Sequence, residues 1–218
     1  SVTLGTPYVR AVNCNPPKGE GTSGGELKYT LTGQLKDTPY AETPVGKHGR
    51  LHLAKVDGYG NAPVIVDQHG KPFQMRGAST HGVQWFPEYI NKGAMQTLRD
   101  EWGVNLLRMA CYVTQYNGYT QGGQSLIDSK IVEGVQAAKE LGMYVIVDWH
   151  IHEENPHTTK TVAEQFFKKY ATLYKDYDNV IFEICNEPTG VQWYTGGNDL
   201  YSYCKDIAGI IRDCGSKA

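Results

Sequence analysis

The stretch YVIVDWH, residues Tyr144–His150, is the part of the sequence that decides the fold. Its first four residues are aromatic or β-branched, which predicts a buried strand, and the stretch ends with a carboxylate and an imidazole. A strand buried on both faces of an open sheet would be apolar along its whole length. Polar groups at the end of an apolar strand are instead typical of a barrel whose strand ends carry the functional site.

The same pattern is repeated on both sides of this stretch. We predict further strands at Phe73–Ser79, Val104–Cys111 and Val180–Cys185, and helices at Asn91–Trp102, Asp128–Leu141, Thr161–Tyr177 and Asp199–Arg212. Polar residues end each strand, at Ser79–His81, Arg108–Tyr112, Asp148–His150 and Asn186–Glu187. Because strands that alternate with long helices pair in parallel, these ends should meet at one rim. The pattern predicts an α/β fold made of the first four βα units of a TIM (β/α)8 barrel, a half-barrel.

The region before these units has a different composition. Residues 1–46 contain runs rich in proline and glycine that interrupt any periodicity, so we predict an N-terminal extension or linker there and the half-barrel over residues 47–218. Within the second region, Arg50–Val56 alternates like a strand, and Pro63–Phe73 has the pattern of a strand, a turn and the start of another strand. We expect this β-hairpin to plug or flank the core.

Charge and composition exclude several classes of partner. The 218 residues carry a net charge of -2, and their basic residues are scattered rather than clustered, which argues against nucleic-acid binding. No apolar run approaches the roughly 18 residues of a membrane span. The first residues, SVTL, are not a secretory leader, so we expect either a cytoplasmic chain or a mature form whose signal was removed. Five cysteines without CxxC spacing indicate no zinc site or dense disulfide frame.

The side chains expected at the rim suit a neutral sugar polymer. Such a ligand is bound by stacking its apolar faces on aromatic rings and by hydrogen bonds to its hydroxyls. The residues of those types are His81, Trp85, Tyr112, His150 and Asn186. Each of them alone has a structural explanation, but together they favour carbohydrate binding.

Four motifs then show a family resemblance. They are GASTHGVQWF at Gly77–Phe86, NLLRMACY at Asn105–Tyr112, VIVDWH at Val145–His150 and VIFEICNEP at Val180–Pro188. In this order and spacing the chain resembles the endo-β-1,4-glucanases (cellulases) of glycoside hydrolase family 5, from about Lys47 to the C-terminus. The resemblance implies an eight-stranded barrel, retaining hydrolysis of internal β-1,4-glucosidic bonds, secretion and no cofactor.

The resemblance also implies a role for each matching residue. Glu187 would be the general acid/base, and Asn186 would hold the sugar 2-hydroxyl. Arg108 would lie under the site and orient the nucleophile. The cleft would be lined by His81, Tyr112 and His150, with Trp85 as a sugar platform.

The chain departs from the family at the second carboxylate. A retaining glycosidase needs a nucleophile roughly 5 Å from its acid/base, and the family carries it on a later strand than the four predicted here. A family barrel also needs about 250 residues, more than follow Lys47. We expect Asp148 to be a structural partner of Arg108, and Glu153 and Glu154 to form a solvated loop pair. A metal site at His150, His152 and Glu153 is not favoured, because the spacing fixes no third ligand.

Three hypotheses follow for a chain with four of the eight strands. A complementary C-terminal half-barrel supplies the remaining strands and the nucleophile, which we favour. Alternatively, two copies complete the barrel and bring two Glu187 side chains to one rim. The third hypothesis is a catalytically silent half-barrel that binds β-1,4-glucan without cleaving it.

Overall fold

The structure is a computed structural model, and it describes residues 37–218. Its helices and strands follow in the order α1 (Pro44–His48), β1 (His52–Ala54), β2 (Val64–Val66), β3 (Gly77–Gly82), α2 (Lys92–Trp102), β4 (Leu106–Tyr112), α3 (Gln124–Leu141), β5 (Tyr144–His150), α4 (Lys160–Leu173), β6 (Val180–Glu183) and α5 (Leu200–Asp213). Strands β3 to β6 form one parallel sheet in chain order. The predicted half-barrel is therefore confirmed as four parallel strands alternating with helices.

The strand bounds differ from prediction mainly at the two edges of the sheet. The bounds of β5 are as predicted, and β4 is displaced by one or two residues. Strand β3 begins at Gly77 rather than Phe73, because Phe73 hydrogen-bonds instead to Ile65 of β2. Strand β6 ends at Glu183 rather than Cys185, since Glu183 is its last residue in register with β5.

Helices α2 and α5 begin one residue after the predicted position, because a capping side chain precedes each of them. Asn91 accepts a hydrogen bond from the Ala94 amide at the start of α2, and the helix ends at Gly103, where φ is 66°. At the start of α5, Asp199 and Ser202 form a capping box. Helix α3 begins four residues before the predicted Asp128, and α4 ends four residues before the predicted Tyr177.

Two apolar clusters pack on the sheet, one over its outer, helix-covered face and one over the N-terminal half of its inner face. The larger one joins the outer face of the sheet to α2–α5 and includes Met109, Trp149 and Phe166. The smaller cluster lies at the N-terminal end of the strands, where Leu106 and Tyr144 contact Val45, Leu51, Phe73 and Met75. The expected hairpin forms, with β1 paired antiparallel with β2, and it flanks this cluster through the adjacent residues Leu51 and Phe73. The lower half of the inner face is therefore packed.

The predicted boundary between residues 46 and 47 falls inside α1. Val45 in this helix is 5% exposed and packs on the lower cluster, and its amide donates to the Gly142 carbonyl. The part of the predicted extension before residue 37 lies outside the described residues.

The C-terminal half of the inner face, which is its upper half, and the two edges of the sheet are open. In the described part of the chain, no strand pairs with the outer edge of β3 or of β6, so the sheet does not close. The open surface includes the half-buried side chains of Arg108 and Glu183. No helix within residues 37–218 is long and apolar enough to cross a membrane.

Candidate active site

The polar residues predicted for the rim lie together at the C-terminal ends of the four strands. The parallel register places Ser79 beside Arg108, Tyr112 beside His150, and Asp148 beside Glu183. Asn186 and Glu187 follow in the loop after β6. The register brings into one region residues that are up to 108 positions apart, from Ser79 to Glu187.

Arg108 is the centre of this polar network. Its Nε and Nη2 atoms each donate to one carboxylate oxygen of Glu183 at 2.6 Å. Nη2 also lies 2.9 Å from Asp148 Oδ2 and donates to Asn186 Oδ1 at 2.9 Å, and Nη1 donates to Ser79 Oγ at 3.3 Å. The hydrogen bonds to Glu183 are the main reason that the pKa of Arg108 is raised. A permanently charged guanidinium on β4 thus joins its own strand to the other three strands and to the loop after β6.

The network confirms one predicted pair and contains another that sequence reasoning missed. Asp148 contacts Arg108, as expected. The bidentate partner, however, is Glu183, for which the sequence analysis made no assignment. One signal was available, because alternate residues of a strand point to opposite faces of the sheet. Val180 and Phe182 are outward, so Ile181 and Glu183 point to the inner face.

Asp148 and His150 form a buried pair next to this network. Asp148 is fully buried, and its Oδ2 atom lies 2.5 Å from His150 Nδ1. Burial raises the pKa of Asp148, although the hydrogen bond to His150 and the charge of Arg108 act in the opposite direction. The contact favours the tautomer of His150 with its hydrogen on Nδ1, which leaves Nε2 as an acceptor.

Aromatic rings form a row across the rim on one side of the network. The centroid of the Tyr112 ring lies 4.1 Å from the ring centroid of His150 and 4.5 Å from that of Trp85. The ring centroids of His81 and Trp85 are 5.0 Å apart. Trp85 Nε1 donates to the Tyr116 carbonyl at 2.8 Å. A Cβ atom on Gly82 would lie 2.5 Å from the Trp85 ring, so glycine lets this ring lie against β3. The arrangement supplies flat, partly exposed faces on which sugar rings can stack.

Glu187 and Asn186 occupy the loop that follows β6. Asn186 is held on both sides of its amide, because Oδ1 accepts from Arg108 and Nδ2 donates to the Ile151 carbonyl. The side chain of Glu187 is 65% exposed, and its Oε2 atom lies 3.6 Å from His152 Nδ1. Its φ of 36° is a positive value that few residues other than glycine adopt. Sequence reasoning considered His152 only as a metal candidate and missed its place beside Glu187.

Three other carboxylates near the rim, those of Asp148, Glu183 and Glu154, are engaged by neighbouring groups, whereas Glu153 is exposed as expected. Asp148 and Glu183 are held by Arg108. Glu154 accepts from the Thr114 hydroxyl at 3.0 Å, so it is not the freely solvated residue that the sequence suggested. Within residues 37–218, no group of three histidine, cysteine or acidic residues is arranged to hold a metal ion.

Comparison with known proteins shows the family of this chain. Residues 66–218 match the family described as Cellulase (glycosyl hydrolase family 5). Endoglucanase N of Pectobacterium atrosepticum is 39% identical over 189 residues, which are 86% of this chain and 40% of that protein. An endoglucanase of Clostridium saccharobutylicum is 45% identical over 150 residues, 68% of this chain and 32% of that protein.

Solved structures show the same correspondence. The catalytic domain of Thermobifida fusca endoglucanase Cel5A has a TM-score of 0.70 and 32% identity, covering 79% of this chain and 53% of that one. A structure of that domain in complex with cellotetraose matches equally well. The chain spans about half of these solved domains and less than half of the two sequence relatives. Since the family match covers more than half of the chain, this protein belongs to the cellulases of glycosyl hydrolase family 5.

Proposed function

We propose that this chain is the N-terminal half of a retaining glycoside hydrolase that cleaves internal β-1,4-glucosidic bonds, with Glu187 as the general acid/base. The observation that carries the proposal is the position of Glu187 directly after Asn186, whose amide is fixed by Arg108 beside a row of aromatic rings. The cellotetraose complex of the similar Thermobifida fusca domain supports a β-glucan as the ligand.

In this mechanism Glu187 acts twice. A carboxylate nucleophile attacks the anomeric carbon while Glu187 gives its proton to the leaving glycosidic oxygen, and a covalent glycosyl-enzyme forms. Glu187 then takes a proton from water, which attacks the same carbon and releases the sugar from the nucleophile. Asn186 holds the 2-hydroxyl, and Trp85 provides a stacking platform. The rings of His81, Tyr112 and His150 line the cleft between them.

The nucleophile is proposed to come from outside the described residues. Asp148 and Glu183 are already held by Arg108, and Arg108 lies where it can also orient an incoming carboxylate. The open edges of β3 and β6 are where a complementary half with four more strands would pair. We further propose that the half-barrel is one domain preceded by the N-terminal extension, and that the whole protein is secreted, because polymeric glucan is met outside the cell.

The decisive experiment is reconstitution. The 218-residue chain is mixed with a fragment that supplies the other four strands of a related cellulase, association is confirmed by sedimentation, and reducing sugar released from carboxymethylcellulose is measured. We expect activity in the mixture and its loss, by about 1,000-fold or more, with Glu187→Gln. Glu133→Gln on the outer helix α3 is the matched control and should remain active. An associated but inactive mixture would contradict the proposal.

Binding without cleavage is a second candidate, because the aromatic row is complete within this chain whereas the acid/base is largely exposed. Titration with cello-oligosaccharides distinguishes the two. Binding that is lost with Trp85→Ala but kept with Trp102→Ala, an exposed tryptophan at the end of α2, would support the binding role. Release of reducing sugar by the chain alone would exclude a silent role.

The third candidate is a homodimer, which requires the chain to pair with a second copy of itself. Two copies would have to pair edge to edge and place both Glu187 side chains at one rim. Sedimentation of the isolated chain tests this arrangement, since a monomer at micromolar concentration would exclude it.

A further inference from the structure

Two cysteine side chains lie near each other beside the loop that carries Asn186 and Glu187. Cys185 is the residue before Asn186, and Cys204 lies in the second turn of α5. Each thiol is close enough to the other to shift its pKa, and both pack against the larger apolar cluster. The residues preceding each of them are also joined, because the Tyr203 hydroxyl donates to the Ile184 carbonyl at 2.7 Å. Tyr203 is fully buried, so the contact between α5 and this loop is anchored in the core.

The other cysteines in the described part of the chain are placed differently. Cys111 is fully buried in β4, and its thiol donates to the Met109 carbonyl. Cys214 follows α5, ten positions beyond Cys204, and its thiol contacts the Lys168 carbonyl. A helical separation of ten residues is about 15 Å, too far for a bridge between Cys204 and Cys214. All four described cysteines are free thiols in the structure.

We propose that Cys185 and Cys204 are a disulfide-forming pair that ties the loop carrying Glu187 to α5 in an oxidising environment. The bridge would close a segment of the chain that includes Asn186, Glu187, the exposed Trp193 and Tyr194, and the start of α5. Nothing in this inference depends on glucan hydrolysis, and its tests need no substrate.

The oxidant is a low-molecular-weight disulfide such as oxidised glutathione. One protein thiolate attacks a sulfur of this disulfide, which forms a mixed disulfide and releases one small thiol. The second protein thiolate then attacks the mixed disulfide, which forms the Cys185–Cys204 bond and releases the other small thiol. The protein loses two hydrogens as protons and electrons, and the oxidant is reduced to two thiols.

Burial determines how fast this exchange proceeds. It raises the pKa of the Cys185 thiol to about 12 and also raises that of Cys204. Because the thiolate is the attacking species, exchange should be slow at neutral pH and accelerate about tenfold for each pH unit between pH 7 and 9. The same burial would shield the bridge from reducing thiols once it has formed.

Mass mapping of the full 218-residue chain tests the pairing. The chain is incubated with oxidised glutathione at pH 8.5, quenched with acid, alkylated and digested without reduction. Tryptic cleavage gives a single peptide, Asp176–Lys205, that contains both cysteines. We expect this peptide to lack alkylation and to be lighter by two hydrogens than its reduced form. Chymotryptic cleavage after Trp193 or Tyr194 should then leave two fragments joined by the bridge.

Variants show whether the pairing is specific. Cys185→Ser and Cys204→Ser should each abolish the bridge, whereas Cys111→Ser and Cys214→Ser should retain it. Oxidation should also raise the Tm of the wild-type chain by about 5 °C or more, and leave that of Cys204→Ser unchanged. Alkylation of both cysteines after exhaustive oxidation, or a bridge from either of them to Cys14 or to a second chain, would overturn the proposal. Failure of the reconstituted glucanase would not affect these readouts.

Discussion

Asp148 and Glu187 are carboxylates on the same rim, and their surroundings are opposite. Asp148 is fully buried, 2.5 Å from His150 Nδ1 and 2.9 Å from Arg108. Glu187 is 65% exposed, and its ion-pair contact, His152, is 3.6 Å away. The difference shows that groups on these four strands already hold Asp148 below the rim. The residue proposed as the acid/base stands at its open side, where we propose that the missing wall is added.

The largest effect on stability should come from removing Arg108, the centre of the polar network. Arg108→Met would leave Asp148 and Glu183 without their cation, and we expect the free energy of unfolding to fall by about 3 kcal/mol or more. Denaturant unfolding followed by circular dichroism measures it. Lys92→Met is the control, since it breaks an exposed pair with Glu140 and should cost about 0.5 kcal/mol. Equal losses in the two variants would mean that Arg108 does not organise the rim.

The burial of Asp148 should next appear as a dependence of stability on pH. Because its pKa is raised in the folded state, the folded chain binds more protons than the unfolded chain above pH 3.8, and stability falls as pH rises through the folded pKa. Asp148→Asn removes this titration. The stability of the wild type relative to the variant should therefore decrease between pH 3 and 7. A constant difference across a pH series of thermal unfolding would contradict this expectation.

A smaller loss is expected at the far end of the loop that carries Glu187. Asp199 is buried, caps α5, and accepts from the amides of Thr195, Gly196 and Gly197. These hydrogen bonds lower its pKa, so its contribution is present above its ordinary pKa and is lost as pH falls.

Asp199→Ala tests this contribution. We expect a loss of about 1 to 2 kcal/mol at pH 7 and a smaller loss in acid, measured by thermal unfolding at each pH. The matched control is Asp206→Ala, also on α5, which removes an exposed ion-pair partner of Lys160. This substitution should reduce the free energy of unfolding by less. If both variants lose the same stability, the cap is not what holds the loop.

The smallest effect on stability should come from Glu187 itself. Glu187→Gln keeps the shape of a largely exposed side chain and removes a single contact at 3.6 Å. We expect the free energy of unfolding to change by no more than about 0.5 kcal/mol. A loss comparable to that of Arg108→Met would show that the two carboxylates do not differ as their burial indicates.

The sequence was sufficient for the parts of the fold that local rules determine. Strand β5 and the starts of α2 and α5 follow from apolar periodicity and from the capping residues Asn91 and Asp199. The rim residues were also predicted, because parallel strands bring their polar C-terminal ends together.

The remaining features depend on contacts between distant segments. Phe73 has a strand-like pattern, but its amide pairs with β2 and its ring packs on Tyr144 at 5.2 Å. The role of Glu183 depends on the register between β5 and β6. The place of His152 beside Glu187 depends on how two loops approach each other. The alternation along β6 indicates only that Glu183 points inward, and the partners in all these contacts have no signal within a short window of sequence.

The irregular path of β3 limits which partner can close the sheet. The register between β3 and β4 shifts between Ser79 and Gly82, where the Thr80 hydroxyl accepts from the Ala110 amide in place of a backbone carbonyl. A second copy of the chain would offer β6, whose regular pairing stops after four residues. Such a short strand would leave the upper part of β3, at the level of His81, without a neighbour. A longer strand that follows the same irregular step would cover it, which favours two unlike halves over two identical ones.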